Sequence, residues 1–185
     1  MKRGSLFHGV VLISMIALAG CATLSEEECR YADWHDLGFQ DGRQGHPDNR
    51  VARHAEACTE YGIRPDADQW RDGWREGITY FCTPDRGWRE GVDGNAYNQV
   101  CPPDLEPDFL YGYEPGRDLH RNRQSLQEVD QRIVEVEDEL DADETMSSER
   151  RRELSRELRE LQNEARTLER ERGVLEAEAS GRGLR

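Results

Sequence analysis

Cationic side chains are scarce in this 185-residue sequence, and lysine is almost absent. Lys2 is the single lysine, and the 25 Lys and Arg side chains face 39 Asp and Glu, for a formal net charge of −14. A nucleic-acid-binding surface needs clustered positive charge, so this balance excludes nucleic acid as an expected partner. Apolar residues make up only 35% of the chain. A large buried core is therefore not expected.

Recognisable catalytic motifs are missing as well. The sequence has no Gly-x-Ser-x-Gly elbow, no phosphate-binding loop and no His-Glu-x-x-His helix. His35 beside Asp33 and Asp36 is the one cluster that would merit a test for acid-base catalysis. In a chain this acidic, a histidine among solvated surface carboxylates is the simpler interpretation. We therefore expect a protein that is not an enzyme and that uses no cofactor.

The N-terminus has the order of a secretory signal. Lys2 and Arg3 precede an apolar run over residues 10–18, which is too short to span a bilayer permanently. The next residues, Leu18-Ala19-Gly20-Cys21, resemble the lipobox of bacterial lipoproteins. The resemblance implies removal of residues 1–20 and acylation of Cys21. Ala22, where an aspartate would retain the protein at the inner membrane, implies the outer membrane.

Four cysteines remain once Cys21 is assigned to lipid: Cys29, Cys58, Cys82 and Cys101. An even number in an exported chain indicates two disulfides, because the compartment is oxidising. Metal binding is the rival interpretation, since His54 precedes Cys58 by one helical turn. No two cysteines form a Cys-x-x-Cys pair, however, so we expect no metal site.

A glycine-aromatic motif occurs four times, at residues 38–42, 73–77, 87–91 and 112–116. Each copy is glycine, an aromatic residue, two further residues and glycine, and the spacing between copies is irregular. The apolar offsets around two copies are those of an α-helix. A glycine inside a helix costs about 1 kcal/mol relative to alanine. We therefore expect the glycine faces to admit a neighbouring backbone at close range.

The tryptophans near these copies have two possible roles. Packing in the core is the expected role for Trp70, Trp74 and Trp88, because large aromatic rings dominate small cores. If the three rings are exposed instead, they form a platform for peptidoglycan or another envelope glycan. The two roles differ in the accessibility of the rings.

Pro-Asp pairs and a Thr-Pro-Asp start predict several short helices, because proline suits the first helical turn and aspartate its positive end. We expect helices near residues 27–44, 47–60, 66–81 and 84–92, followed by a loop and a helix from about 104. An antiparallel hairpin of the first two helices would pair Cys29 with Cys58 and leave Cys82 with Cys101. The two other connectivities remain open.

These motifs together resemble a known family. The four cysteines, the glycine-aromatic copies, Tyr80-Phe81-Cys82-Thr83-Pro84 and Phe109-Leu110-x-Gly112-Tyr113-x-x-Gly116-Arg117 are similar to a family of uncharacterised bacterial lipoproteins, domain of unknown function 2799. The resemblance covers about residues 29–123 and implies no particular reaction or ligand. Pro115 lies inside the last copy and predicts a break in its helix.

Two heptad patterns follow the module. The first comprises Leu119, Leu126, Val129, Ile133, Val136 and Leu140, and the second comprises Leu154, Leu158, Leu161, Ala165, Leu168 and Leu175. Their phases disagree, and an acidic cluster ends the first run while an arginine cluster begins the second. An antiparallel hairpin places these clusters side by side, so we expect a hairpin rather than one rod. A homodimer through the same positions is the alternative.

The sequence thus predicts an all-α protein with five parts: a signal peptide (1–20), a lipidated tether (21–28), a disulfide-stapled helical module (29–117), a coiled-coil extension (118–179) and a disordered tail (180–185). We expect a lipoprotein on the periplasmic face of the outer membrane. Its expected role is structural, with the extension presented to an envelope protein partner. Binding of a glycan by the tryptophans is the alternative function.

Overall fold

The structure, a computed structural model, describes residues 23–142 and 145–184, in which there are seven α-helices and no strand. The helices are α1 (Glu26–Tyr31), α2 (Trp34–Arg43), α3 (Arg50–Thr59), α4 (Ala67–Phe81), α5 (Pro84–Val92), α6 (Glu106–Ala142) and α7 (Ser148–Gly181). The predicted all-α class is confirmed. The predicted signal peptide, the lipidation residue Cys21 and Ala22 lie outside the described residues.

Side-chain caps set where most of the short helices begin. Ser25 forms a capping box with Glu28 at the start of α1, and Thr83 accepts a hydrogen bond from the Arg86 N–H ahead of α5. Asp33 caps α2 in the same way, which ends the preceding helix at Tyr31. The single helix predicted over 27–44 is therefore two helices, because Asp33 adopts an extended backbone at its middle.

Helices α2 and α4 pack with their backbones in direct contact. A Cβ added to Gly38 would lie 1.9 Å from the carbonyl oxygen of Trp70, and one added to Gly77 would lie 2.0 Å from that of Phe39. Gly73 is equally restricted, at 1.9 Å from the carbonyl oxygen of His35. Any side chain at these positions would separate the two helices. The predicted close approach of the glycine faces is thus confirmed for the first two copies.

The other two copies form a second pair in the same way. A Cβ on Gly87 of α5 would lie 2.0 Å from the carbonyl oxygen of Phe109, and one on Gly112 of α6 would lie 1.9 Å from that of Pro84. In sequence, Phe109 precedes Gly112 by three residues, just as Trp70 precedes Gly73 in the first pair. The module therefore contains two equivalent helix pairs, α2 with α4 and α5 with α6.

The turns after α2 and α5 extend this equivalence. Gly45 and Gly94 each follow the first glycine of their copy by seven residues and share a φ of +76°. A Cβ on either would meet a ring 2.3 Å away, from Phe81 in the first half and from His120 in the second. Glycine is needed at both turns, because φ is left-handed and a ring fills the space.

The aromatic residue inside the second copy of each half holds the same loop. Trp74 donates from Nε1 to the carbonyl oxygen of His46 at 2.8 Å. The Tyr113 hydroxyl donates to the carbonyl oxygen of Asn95, also at 2.8 Å. His46 and Asn95 each follow the left-handed glycine directly. The two halves therefore share a helix pair, a glycine turn and a loop anchor.

Two disulfides staple this module, one to each half. Cys29 is bonded to Cys58 and Cys82 to Cys101, with Cα–Cα distances of 5.5 and 5.7 Å. This is the pairing preferred from the sequence. The first disulfide joins α1 to the end of α3, whereas α2 packs on α4 rather than on α3. The expected hairpin of the first two helices is therefore formed only by the short α1 against α3.

Helix α6 continues through Pro115, so the predicted break there is wrong. Proline removes one backbone hydrogen bond and disfavours a helix interior by about 3 kcal/mol. Here Gly112 and Gly116 lie on the two sides of the proline and both pack against α5, which holds the backbone helical across it. As a result, the boundary expected between residues 117 and 118 falls inside a continuous helix, and the extension is a direct prolongation of the module.

Helices α6 and α7 form the predicted antiparallel hairpin. Arg132 and Arg150 of the two arms pair with Glu157 and Glu139 of the opposite arm, at 2.7 and 2.8 Å. The Asn122 side chain donates to the carbonyl oxygen of Leu168 at 3.1 Å. The acidic end of α6 and the arginines that begin α7 therefore lie side by side, as their charges predict.

The end of α7 and the residues up to Leu184 return to the module. Gly183 has a φ of +76° and closes a Schellman turn in which Leu184 N–H donates to the carbonyl oxygen of Ala179. Ala179 and Leu184 are both buried, and the Arg182 guanidinium lies 5.3 Å from the centre of the Tyr111 ring. The disordered tail expected over 180–185 is therefore wrong for residues 180–184, because a glycine turn and a buried leucine fix them.

Candidate functional site

A buried polar cluster joins three helices of the first half. Both carboxylate oxygens of Asp41, on α2, are engaged: Oδ1 lies 2.8 Å from Arg50 Nε, and Oδ2 accepts hydrogen bonds from His54 Nε2 at 2.8 Å and Trp70 Nε1 at 3.0 Å. Arg50 and His54 lie one helical turn apart on α3, and Trp70 begins the apolar face of α4. Asp41 is 5% exposed and His54 is 1% exposed.

The surroundings keep the Asp41 carboxylate ionised. Burial by itself raises the pKa of Asp41. Hydrogen bonds from His54 and Trp70, together with the charges of His54 and Arg50, lower the pKa by more than burial raises it. The pKa of Asp41 therefore lies below its usual value. Burial and the nearby Arg50 also lower the pKa of His46. The Asp41 carboxylate is thus a charged group held in the core by two hydrogen-bond donors, His54 and Trp70, and by the charge of Arg50.

The same cluster contains a chain of contacts from a hydroxyl to an imidazole to a carboxylate. Thr23 Oγ1 lies 3.0 Å from His54 Nδ1, and His54 Nε2 contacts Asp41. A nucleophile and base of this kind need access for a substrate. The His54 ring is almost completely buried, and Asp41 is saturated by Trp70 and Arg50. The geometry therefore favours a packing role, in which Thr23 fastens the chain start to α3.

Two of the three tryptophans predicted as a possible ligand platform are buried. Trp70 is 0% exposed and Trp74 is 8% exposed, and the two rings stack at a centroid distance of 6.5 Å. Trp88 is half-buried. Trp70 and Trp74 therefore belong to the core and form no exposed platform, because their indole N–H groups are bonded to Asp41 and to the His46 carbonyl oxygen.

The other sequence candidates do not converge on one site. Asp33 is the cap of α2, Asp36 accepts a hydrogen bond from Gln40, and His35 faces Glu76 of α4 at 3.8 Å. The three residues of the suggested acid-base cluster therefore have different partners.

His54 and Cys58, the pair considered for a metal site, are also bonded to different partners. His54 contacts Asp41, and Cys58 is bonded to Cys29. Among residues 23–142 and 145–184, no three histidine, cysteine or acidic side chains are grouped so that they could hold a metal ion.

Tyrosines take the place of the charged cluster in the second half. The Tyr97 hydroxyl donates to Glu106 at 3.0 Å and accepts from the Cys101 N–H. Burial and the neighbouring Glu106 raise the pKa of Tyr97 to about 12, so this hydroxyl stays protonated. Its contacts fix the loop between α5 and α6 beside the second disulfide.

The hairpin leaves part of its apolar edge exposed. Only Leu154 and Ala179 of α7 are buried, whereas the remaining seam leucines stay partly exposed: Leu158, Leu161, Leu168 and Leu175. Val134 on α6 is 55% exposed and Val174 on α7 is 57% exposed. Two helices do not cover all of this surface, so a further helix or another protein would bury more of it.

Sequence reasoning located the hairpin and the disulfide cysteines but missed the cluster around Asp41. Three copies of the glycine-aromatic motif carry an acid before their last glycine: Asp41, Glu76 and Glu90. Only the first of these acids is buried. The signal that distinguishes it is the arginine and histidine spaced by four residues in α3, which follow Asp41 but neither of the glutamates.

Comparison with known proteins supports a family but no activity. No helix within the described ranges has the length and apolar character needed to cross a membrane. No curated protein and no solved structure matches the chain significantly. A family model does match residues 33–118, which include both helix pairs up to the start of the hairpin. Residues 33–118 therefore form a domain of the family described as "Protein of unknown function (DUF2799)".

Proposed function

We propose that this protein is a non-enzymatic lipoprotein of the cell envelope, held on the periplasmic face of the outer membrane through Cys21, which binds another envelope protein with its α6–α7 hairpin. The lipobox-like Leu18-Ala19-Gly20-Cys21 and the two disulfides support export and anchoring. The observation that carries the binding role is the partly exposed leucine edge of the hairpin. Such an edge is typical of a surface that binds a partner helix.

The hairpin is joined to the module at both of its arms, which supports this role. Helix α6 passes from the module into the hairpin without a linker, and Arg182 joins the end of α7 to Tyr111 near the start of α6. The base of the hairpin is thus fixed at both arms. At 1.5 Å per residue, the arm from residue 118 to residue 142 extends roughly 36 Å.

The test is a shortened hairpin that leaves the module intact. Cutting at residue 118 would remove Leu119 and His120, which pack against the module. Removing residues 127–140 and 150–163 instead takes two whole heptads from each arm and preserves the opposition of the remaining positions. In crosslinking on intact cells, we expect the full-length protein to recover an envelope partner and the shortened protein to lose it.

A point variant separates the apolar edge from mere length. V134D/V174D places charge on two exposed valines without touching the seam, and Q124D provides a matched charge on the same helix. We expect the valine variant to lose the partner and Q124D to retain it. Unchanged recovery by both the shortened and the valine variants would refute a hairpin-bound partner. A crosslinked product containing only two copies of this chain would identify a homo-oligomer instead.

The anchor has its own test. C21S should abolish acylation, measured as the mass of the mature N-terminus, and should release the protein from the outer-membrane fraction. An acylated or membrane-bound C21S protein would contradict this part of the proposal.

A further inference from the structure

The described residues begin at Thr23, two positions after the proposed lipidation residue. Thr23 donates to the carbonyl oxygen of Arg53 at 3.2 Å and contacts His54. Leu24 is 7% exposed and packs against the Cys29–Cys58 disulfide. Residues 23–28, expected to belong to a tether, are therefore held on the module.

Covalent geometry then limits the distance between the module and the membrane. Ala22 alone separates Cys21 from Thr23, and consecutive Cα atoms are about 3.8 Å apart. The Cα atoms of residues 21 and 23 are thus at most about 8 Å apart. If Cys21 carries lipid, the end of the module with the first disulfide lies at the headgroup layer. This step depends on the proposed function.

Two exposed tyrosines occur at this end of the module. Tyr31 follows Cys29 by two residues and is 77% exposed, and Tyr61 follows Cys58 by three residues and is 38% exposed. The disulfide holds the two stretches of chain together, with 5.5 Å between its Cα atoms. Tyrosine combines an apolar ring with a polar tip and is enriched where membrane and water meet.

The charge of the same end selects the kind of lipid. Residues 23–33 carry four acidic side chains and one arginine. Glu28 is held ionised because hydrogen bonds from the Ser25 N–H and hydroxyl lower its pKa. Anionic headgroups would repel this surface, whereas headgroups without net charge would not.

We infer that the surface formed by Tyr31 and Tyr61 beside the Cys29–Cys58 disulfide rests on a lipid surface of low net charge, with both rings in the headgroup layer. The lipid on Cys21 supplies the anchor, and the docked Thr23 and Leu24 fix which face of the module turns to the membrane. The protein is thus oriented on the bilayer rather than suspended from it.

Spin labels on the acylated full-length protein test this orientation. R30C and E60C place a label beside each tyrosine and leave both rings intact, and T79C places the control label beside Tyr80, which is 59% exposed on α4. The protein is bound to phosphatidylcholine vesicles, and collision of the label with oxygen is compared with collision with a water-soluble nickel complex. We expect the oxygen-to-nickel ratio to be severalfold higher at positions 30 and 60 than at 79.

The outcomes separate the inference from the proposed function. Protein that floats with the vesicles but shows equal ratios at all three positions would overturn the orientation while leaving the anchor intact. Protein that does not float would overturn both. Adding phosphatidylglycerol should lower the ratio at positions 30 and 60, and a higher ratio would contradict the stated choice of lipid.

Discussion

Asp41 shows at the residue scale how a weakly apolar chain builds a specific core. Its carboxylate lies where three helices meet, and its partners come from the two other helices: Arg50 and His54 from α3 and Trp70 from α4. A buried charge is tolerated only when it is fully paired. The cluster therefore determines where α3 lies on the α2–α4 pair. The few apolar contacts of α3 would not determine this position alone.

Removing the Asp41 charge should destabilise the fold strongly. D41N leaves Arg50 facing a neutral amide in the core, so we expect the free energy of unfolding to fall by about 3–5 kcal/mol. Urea unfolding followed by circular dichroism measures this change. D72N is the matched control, because Asp72 is exposed and pairs only with Arg75. The control should change stability by less than about 0.5 kcal/mol, and an equally small loss in D41N would contradict the role of the cluster.

The lowered pKa of Asp41 also predicts how stability depends on pH. An unfolded aspartate has a pKa of about 3.9. Because the folded value is lower, the stabilisation from the Asp41 charge is complete above about pH 5 and is lost as the pH falls through the folded pKa. The difference in unfolding free energy between wild type and D41N should therefore shrink as the pH falls below about 4. A difference that stays constant in strong acid would refute this linkage.

At the scale of elements, the four glycine-aromatic copies make two helix pairs. The sequence predicts that each glycine face packs against a neighbouring backbone, because such a contact would offset the loss of helix stability that glycine causes. It does not predict which faces meet, since four similar faces can pair in three ways. The spacing of seven residues to Gly45 and Gly94 is the signal that marks α2 and α5 as equivalent. The proline after Thr83 marks the start of α5 in the sequence. Asp33 has no such signal, so the start of α2 is not predicted.

Pro115 and the chain end show why the remaining features were not predictable. The propensity of proline is local, whereas the packing of α5 on both sides of it comes from residues more than twenty positions away. In the same way, Leu184 is a single apolar residue in a polar tail, and only the folded hairpin buries it and places the neighbouring Arg182 over Tyr111. Tertiary contacts override the local pattern in both places.

Glycine substitutions test the helix pairs directly. G73A would place a Cβ 1.9 Å from the His35 carbonyl oxygen, so α2 and α4 must separate. We expect a loss of about 3 kcal/mol in unfolding free energy, measured by thermal and urea unfolding. The control is G173A, because Gly173 lies in α7 with no atom within 4 Å of its added Cβ. That variant should gain up to about 1 kcal/mol, and equal stability of the two variants would contradict the close packing.

For the whole molecule, the contacts of the C-terminus make module and hairpin one unit. Helix α6 joins them at one arm, and the Schellman turn with Leu184 joins them at the other. A hairpin fastened by only one arm would open from its free end, since helices fray at their termini. The second attachment therefore protects the base of α7.

Truncation after Gly181 should release that attachment. The change removes Leu184, whose burial contributes roughly 2 kcal/mol, and the Arg182 contact with Tyr111. We expect faster amide hydrogen exchange in the last turns of α7 and unchanged exchange in α2 and α4. A chain that lacks only residue 185 is the control and should behave as wild type. Unchanged exchange after the longer truncation would show that the helix end does not depend on Leu184.

The order of the cysteines has a consequence for biogenesis. Cys29 pairs with Cys58 and Cys82 with Cys101, so each disulfide joins neighbours along the chain. If the protein is exported as proposed, an oxidant that links cysteines in the order in which they emerge from a translocation channel forms these bonds directly. The first disulfide then forms before the second half has emerged, and no isomerase is needed to reshuffle a wrong pair. Formation of both disulfides should therefore depend on a thiol oxidase alone.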